Sequence, residues 1–400
     1  MEPTNRMPYA FRQLARFAPR STNMRPPAKL AVTALAIAVS TSVGSAAFAQ
    51  GRGAGPSKEP SAARSVPAET TAAMVVDKNW KAPRTSWGQP SIEGVWSTDD
   101  MRSIPLNRPP TFGTRDTMTP EEFKQRASRD EGGKDLANNR ETFLRNEWGI
   151  RSFGYTSLVI DPADGKIPDL TAAAKAQPVS RGTFGPGPFN TFDDFTLYDR
   201  CVTRGLLGSQ LPVIYGNGLR IVQTPDSVAI SYEMIHDTRV IPLDKRPHID
   251  AGVAQYMGNP RGHWEGDTLV VESTNFTNMT SIGINGNGPH HSDQIKITET
   301  FKRVDPEMIA YTARVEDPVT YTAPFTIRLM ITKQPNYETY EYSCHEGNGA
   351  VGHALSGERA YEQQVADAKA KGKPIPPRST QGVYGRPQEG AEVFNINRGE

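Results

Sequence analysis

From Gly218 to Cys344 the chain repeats one device: a short run with apolar alternation, then turn-forming residues, then another run. Gly218–Thr224 and Val228–Ile235 flank Pro225-Asp226-Ser227. Thr238–Leu243 ends in Asp244-Lys245-Arg246-Pro247. Ile295–Val304 and Met308–Val315 flank Asp305-Pro306-Glu307, and Pro324–Lys333 and Tyr337–Cys344 flank Gln334-Pro335-Asn336. Between these pairs lies Arg261–Phe276, which reads as a hairpin bent at Glu265-Gly266, where glycine takes a positive φ without steric cost. Near-local connections between short strands favour an antiparallel meander with this hairpin in its middle. Closing such a sheet on itself removes its exposed edges, so the expected fold is mostly β, an up-and-down barrel or strongly curled sheet.

The 400 residues divide around that meander. A basic lead, the apolar run Leu30–Val43 and the small-x-small Ala47-Phe48-Ala49 form a bacterial secretory signal over 1–49, cut after Ala49. The alternative is an N-terminal membrane anchor, for which the run is short. Residues 50–79 read as a disordered linker, 80–150 as an N-terminal extension with helices packed on the barrel, 151–355 as the β domain, and 356–400 as a C-terminal helix and extended tail. In the extension, Thr119, Pro120 and Glu122 make a capping box for a helix, with a second helical stretch over Asp135–Arg145. Tyr155–Pro168 reads as a hairpin turning at Asp161–Gly165, and 171–195 as a long ordered loop. Ser356–Lys371 reads as the C-terminal helix with Ser356 as its cap. A net charge of +1 gives no reason to expect nucleic acid as a partner, and no segment of the mature chain is apolar enough to span a bilayer. An even pair of cysteines in an exported chain, Cys201 and Cys344, predicts a disulfide; the rival is a reactive Cys344 beside His345.

Nucleophile elbows, Cys-x-x-Cys pairs, zincin helices and phosphate loops are all absent from the sequence, and no motif asks for a cofactor. What remains is dispersed. In the run from Val228, period two puts Val228, Ile230, Tyr232, Met234 and His236 on one face and Ser231, Glu233, Asp237 and Arg239 on the other. The polar set either meets water or lines a lumen in which Glu233 and Arg239 orient a ligand. Glu272 alternates with Val271 and could face the same lumen. Glu299 and Arg303 share a face of the next long strand, paired with each other or with strand neighbours. Asp267 reads as a turn residue. The candidate ligand-binding set is therefore Tyr232, Glu233, Arg239, Glu272, Glu299 and Arg303, and the acid–base candidates are Glu233, His236, Arg239, His291 and His345. His248, His291 and His345 have no recognised metal spacing, though a site assembled from them is an alternative.

Six stretches carry a resemblance: Ser157–Pro168, Arg200-Cys-Val-Thr-Arg204, Arg239–His248, Gly262–Val271 (Gly-His-Trp-Glu-Gly-Asp-Thr-Leu-Val-Val), Thr298–Arg303 and Cys344-His-Glu-Gly-Asn348. In them the chain resembles a family of exported bacterial proteins with a calycin-like, lipocalin-like domain, and Gly94-Val95-Trp96 is similar to the Gly-x-Trp that opens lipocalin-type barrels. The family pattern has Asp-Gly-Arg at Asp244-Lys245-Arg246 and Glu-Arg-Phe at Glu299-Thr300-Phe301. The resemblance implies a barrel and carries no catalytic residues over. Three classes of function follow: a periplasmic or secreted barrel that binds a small, partly apolar molecule; an enzyme, metal-independent or metal-assisted, using His/carboxylate acid–base chemistry; and a cell-envelope interaction protein. An eight-stranded barrel can take one small ligand, which favours the first.

Overall fold

The computed structural model describes residues 79–126, 151, 153–177, 187–213, 215–283, 288–333 and 337–378. The expected signal segment, nearly all of the linker, the helix over Asp135–Arg145 and the end of the tail lie outside them. Ten strands form one antiparallel sheet. They are β1 (Gly94–Ser97), β2 (Val159–Asp161), β3 (Gly218–Gln223), β4 (Ser227–Tyr232), β5 (Thr238–Pro242), β6 (Asn259–Glu265), β7 (Thr268–Thr274), β8 (Lys296–Asp305), β9 (Met308–Glu316) and β10 (Phe325–Thr332). The order across the sheet is β5-β4-β3-β1-β10-β9-β8-β7-β6, with β2 paired to β10 off that path.

Alternation builds the core. Ile297, Glu299 and Phe301 of β8, Ile309, Tyr311, Ala313 and Val315 of β9, and Phe325, Ile327, Leu329 and Ile331 of β10 are all buried, while most of the residues between them face outward. Each large apolar side chain so buried contributes about 1.5–3 kcal/mol. On the outer face, Thr300 bonds Thr312 across the β8–β9 ladder at 2.6 Å. Thr300 therefore points away from the interior.

Several expectations need correction. The Arg261–Phe276 hairpin forms as β6 and β7 with Gly266 at φ 59, but β6 is an edge strand, not the middle of the sheet. Tyr337–Cys344 is not a strand. Its place beside β10 is taken by β1, through Ser97↔Thr332, and β1 also pairs with β3. Tyr155–Pro168 does not fold back on itself. The turn closes, with the Gly165 amide donating to Pro162, but β2 pairs with β10, and the return arm lies against Asn107 and Arg108 instead. The capping box at Thr119 forms as expected, with Glu122 accepting from the Thr119 amide at 2.8 Å and the Thr119 hydroxyl accepting from Glu122. Within 171–195 there is a helical turn, α1 (Ala172–Lys175), capped by Thr171. A second short helix is α2 (Leu206–Gln210). The C-terminal helix, α3 (Ala350–Ala370), begins at Gly349, so Ser356 lies inside it and bonds the His353 carbonyl rather than capping the helix.

The sheet does not close into a continuous barrel: among the described residues no ladder joins β5 to β6. It curls until these two edges meet through side chains. Gly262 of β6 lets them approach, since a β-carbon there would stand 2.7 Å from Ile241 Cγ2 and 2.8 Å from Leu243 Cδ2. Arg261 Nε donates across the same seam to the Arg246 and Pro247 carbonyls at 3.1 and 2.9 Å.

The turn after β5 holds a non-glycine residue in a conformation that glycine favours. Lys245 sits at φ 60, the left-handed region that costs an L-residue about 1–2 kcal/mol. Lys245 is exposed, so little packing offsets that cost. Lys245→Gly is expected to raise stability by about 0.5–1 kcal/mol, once the greater freedom of glycine in the unfolded chain is subtracted. Urea unfolding would read this as a higher midpoint at unchanged slope.

Candidate functional site

β4 ends at Tyr232. The backbone then turns through Met234–His236, with Ile235 at φ 66 and His236 at φ 49, before β5 starts at Thr238. A β-branched residue in the left-handed region is a strained position held by its surroundings. Here Ile235 is 3 % exposed and packs with Val213, Met234 and the rings of Tyr198, Tyr215 and Tyr342. This turn resets the alternation. Val228, Ile230 and Tyr232 face inward as expected, and Ser231 faces out. Arg239, expected on the face of Ser231, instead points into the interior with Ile241.

Inside, Arg239 meets Glu299, not Glu233. Its Nη1 and Nη2 donate to the two Glu299 oxygens at 2.7 Å each, and the Tyr311 hydroxyl donates to Glu299 at 3.0 Å. Glu299 is 0 % exposed. Burial works against a charged Arg239, but the Glu299 carboxylate more than offsets it and holds the arginine pKa above its ordinary range. Tyr232 lies beside this pair with its buried hydroxyl unpartnered, and Arg239 Nε is unpartnered as well. Arg303 does not join Glu299. Its guanidinium lies 5.4 Å over the Trp96 ring and donates to the Ser91 and Pro306 carbonyls. Glu272 does not face a lumen either; half-exposed on the outer side, it pairs with Lys296 at 2.5 Å and with His248 at 3.4 Å. Asp267, in the hairpin turn, pairs with Arg84 at 2.5 Å.

Glu233 and His236 come together elsewhere. With Arg220, Ser231, Tyr232 and the extended segment Thr339–Ser343 they line a cleft of about 340 Å³. That size lies within the range of small-molecule sites. Glu233 Oε2 accepts from the Tyr337 hydroxyl at 2.5 Å and from the Tyr340 amide at 3.4 Å, and His236 Nδ1 lies 3.2 Å from the Tyr342 carbonyl. Both side chains thus tie the Tyr337–Ser343 wall to the end of β4. The wall is fixed at its far end by the disulfide Cys201–Cys344, with Cα atoms 5.6 Å apart. Tyr340, 67 % exposed, stands at the mouth, and Tyr342 stacks on Tyr215 with ring centroids 6.5 Å apart.

The other histidines lie apart from this cleft. His291 is buried against Phe276 and bonds the Thr280 hydroxyl at 2.5 Å; burial pushes its pKa below the usual imidazole value. His345 is exposed next to the disulfide. Among the described residues no three metal-ligating side chains cluster, so His248, His291 and His345 do not assemble one site.

Sequence reasoning misses Arg204. It belongs to one of the stretches that carry the family resemblance, and it is followed by Gly205-Leu206-Leu207, a weak sign of burial. In the fold it is 1 % exposed, and its Nη2 donates to the Leu211 carbonyl at 3.4 Å. No protein-family model, curated protein or solved structure matches this chain.

Proposed function

We propose that this chain is an exported binding protein whose lipocalin-like curled sheet holds a small, partly apolar molecule. The site is the cleft between the turn at Glu233–His236 and the Thr339–Ser343 segment. The observation that carries the reading is that cleft: about 340 Å³, lined by Tyr340 and Tyr342 together with Glu233, Arg220 and His236. It offers flat aromatic surface for an apolar body and polar groups to orient it. The large interior side chains, among them Trp96, Phe301, Tyr311 and Phe325, are fully buried, so the ligand is assigned to the cleft rather than to a central lumen. Export is consistent with the disulfide and with the signal-like N-terminus.

Acid–base catalysis is the second reading, because Glu233 and His236 share the cleft. Binding is favoured over it because each of these side chains has a structural partner in the wall itself. Native mass spectrometry of the protein purified without refolding, set against its denatured mass, tests the proposal. A small organic adduct that leaves on denaturation is expected, and it should be missing from Tyr342→Ala. A bare-chain mass for the wild type would count against ligand binding, and release of a transition-metal ion would favour the enzyme.

A further inference from the structure

The outer face of β3 carries three different surfaces in a row. Alternation turns Leu219 and Ile221 inward and leaves Gly218, Arg220 and Val222 on the outer side. Gly218 is covered there by Glu233 and Tyr337: a β-carbon at 218 would stand 2.7 Å from Glu233 Oε2 and 2.9 Å from Tyr337 Cε1. The missing side chain thus seats the Glu233 carboxylate directly against the strand. Arg220 follows two residues on, about 6.5–7 Å along the same face. It is exposed, and among the described residues its guanidinium has no ion-pair or hydrogen-bond partner. Ser231 stands opposite it on β4 and accepts from the Thr238 hydroxyl at 2.9 Å. The next row across the sheet, Val222, Ala229 and Val240, is apolar.

Arg220, Ser231 and Glu233 line the cleft from the sheet, and Tyr340, Glu341 and Tyr342 line it from the wall. Glu233 accepts from two neutral donors, the Tyr337 hydroxyl and the Tyr340 amide. The cleft therefore presents both signs of charge. A plain anion drawn to Arg220 would meet the Glu233 and Glu341 carboxylates, and a plain cation drawn to the carboxylates would meet Arg220. Like charges so placed are costly. A molecule that carries both signs meets neither penalty. An α-amino acid has its ammonium and carboxylate on one carbon, and with a charge-assisted bond of about 2.8 Å at each end it bridges groups one strand repeat apart.

We propose that the cleft binds a free α-amino acid with an apolar side chain. Its carboxylate sits on Arg220, its ammonium on Glu233, and its side chain against Tyr340 and Tyr342. The planar guanidinium matches a carboxylate through two parallel hydrogen bonds. The tyrosine rings supply flat apolar surface, and the row beyond Arg220 adds no charge that would call for a charged side chain. A cleft of about 340 Å³ has room for one such molecule. This inference rests on the small-molecule reading of the same cleft.

The test titrates the full mature protein with leucine, methionine, phenylalanine and tryptophan by calorimetry and thermal shift. Each is compared with its N-acetyl derivative, which lacks the ammonium, and its primary amide, which lacks the carboxylate. At least one free amino acid is expected to bind about tenfold or more tightly than both derivatives, the worth of one bond between charged groups. Arg220→Met should abolish the preference over the amide and keep the preference over the N-acetyl form, and Glu233→Gln should do the reverse. A merely structural loss would weaken all three compounds alike. If Glu233→Gln loosens the wall, Arg220→Met, at an exposed strand position, still decides. Equal binding of all three forms to the wild type, lost in Tyr342→Ala, would overturn the amino-acid reading and leave the binding cleft standing. A preference unchanged in both variants would also overturn it. Binding of none of the compounds would overturn it too, and the native mass spectrum would then judge the cleft by itself.

Discussion

Glu299→Ala is expected to destabilise the protein by about 3–5 kcal/mol. The reason is what the mutation leaves behind. Arg239, with a side chain 3 % exposed, would keep its charge and lose both of its 2.7 Å bonds in a place water does not reach. The Tyr311 hydroxyl would lose its acceptor at the same time. The pair also joins β5 to β8 across the seam where no ladder runs, so its loss loosens the contact between the two edges of the sheet. The double replacement Arg239→Met with Glu299→Leu removes both charges and fills the space with apolar side chains. It should recover most of the loss, as replaced buried ion pairs often do. Guanidinium unfolding of the two single variants and the double one measures the coupling. A cost below about 1 kcal/mol for Glu299→Ala would show that water enters and screens the pair, and the seam would have to be held by other contacts.

Removing the disulfide, by Cys201→Ser with Cys344→Ser, is expected to cost about 2–5 kcal/mol. The bridge spans 143 residues, so it restricts a long loop of the unfolded chain. The local consequence is separate from the global one. Cys344 ends the Tyr337–Ser343 wall, and Cys201 is further held by Asn348, whose Nδ2 lies 3.2 Å from its sulfur. Without the bridge the wall keeps its non-covalent contacts, those of Glu233 and His236 and the stacking of Tyr342 on Tyr215, and the cleft should lose its ligand at temperatures well below global unfolding. Hydrogen exchange would show the difference: amides of 337–344 lose protection in the double serine variant while those of β8 and β9 keep theirs. Glu299→Ala should do the opposite, lowering protection of the sheet as a whole. Equal loss in both variants would mean that the wall and the sheet unfold as one unit.

The strands are legible in the sequence because alternation and turn residues agree along most of the meander. Met308–Val315 and Ile295–Val304 fall within a residue or so of β9 and β8. The disulfide is legible from the cysteine count. Three things are not. Tyr337–Cys344 follows turn-forming residues as the other runs do, but it lies off the sheet with its end bridged to Cys201, and a covalent tie cannot be weighed against a ladder from spacing alone. The facing of Arg239 depends on the turn at Ile235 and His236, where two consecutive non-glycine residues adopt positive φ. No local signal announces that, and each residue inserted into an alternating run reverses every side chain after it. The burial of Arg204 is not legible either, because its local sequence offers only Leu206-Leu207 as a sign of it. Glu299 stands out in the sequence as a ligand-facing or paired group, but its partner lies on a strand whose register the turn changes.

β1 sits in the middle of the sheet although it comes first in the chain. Gly94 pairs with Ile221 and Ser97 with Thr332, partners made long after β1 itself. Trp96 has no strand beside it until β3 is made, and the second neighbour of β1, β10, comes only at the end of the meander. Without β1, β3 and β10 present facing edges with a slot between them. Such non-local pairing raises contact order and slows folding. A nascent chain of this kind stays open longer than its many local hairpins suggest. The slot between β3 and β10 is where a chaperone, or a misplaced strand from another copy, would compete with β1.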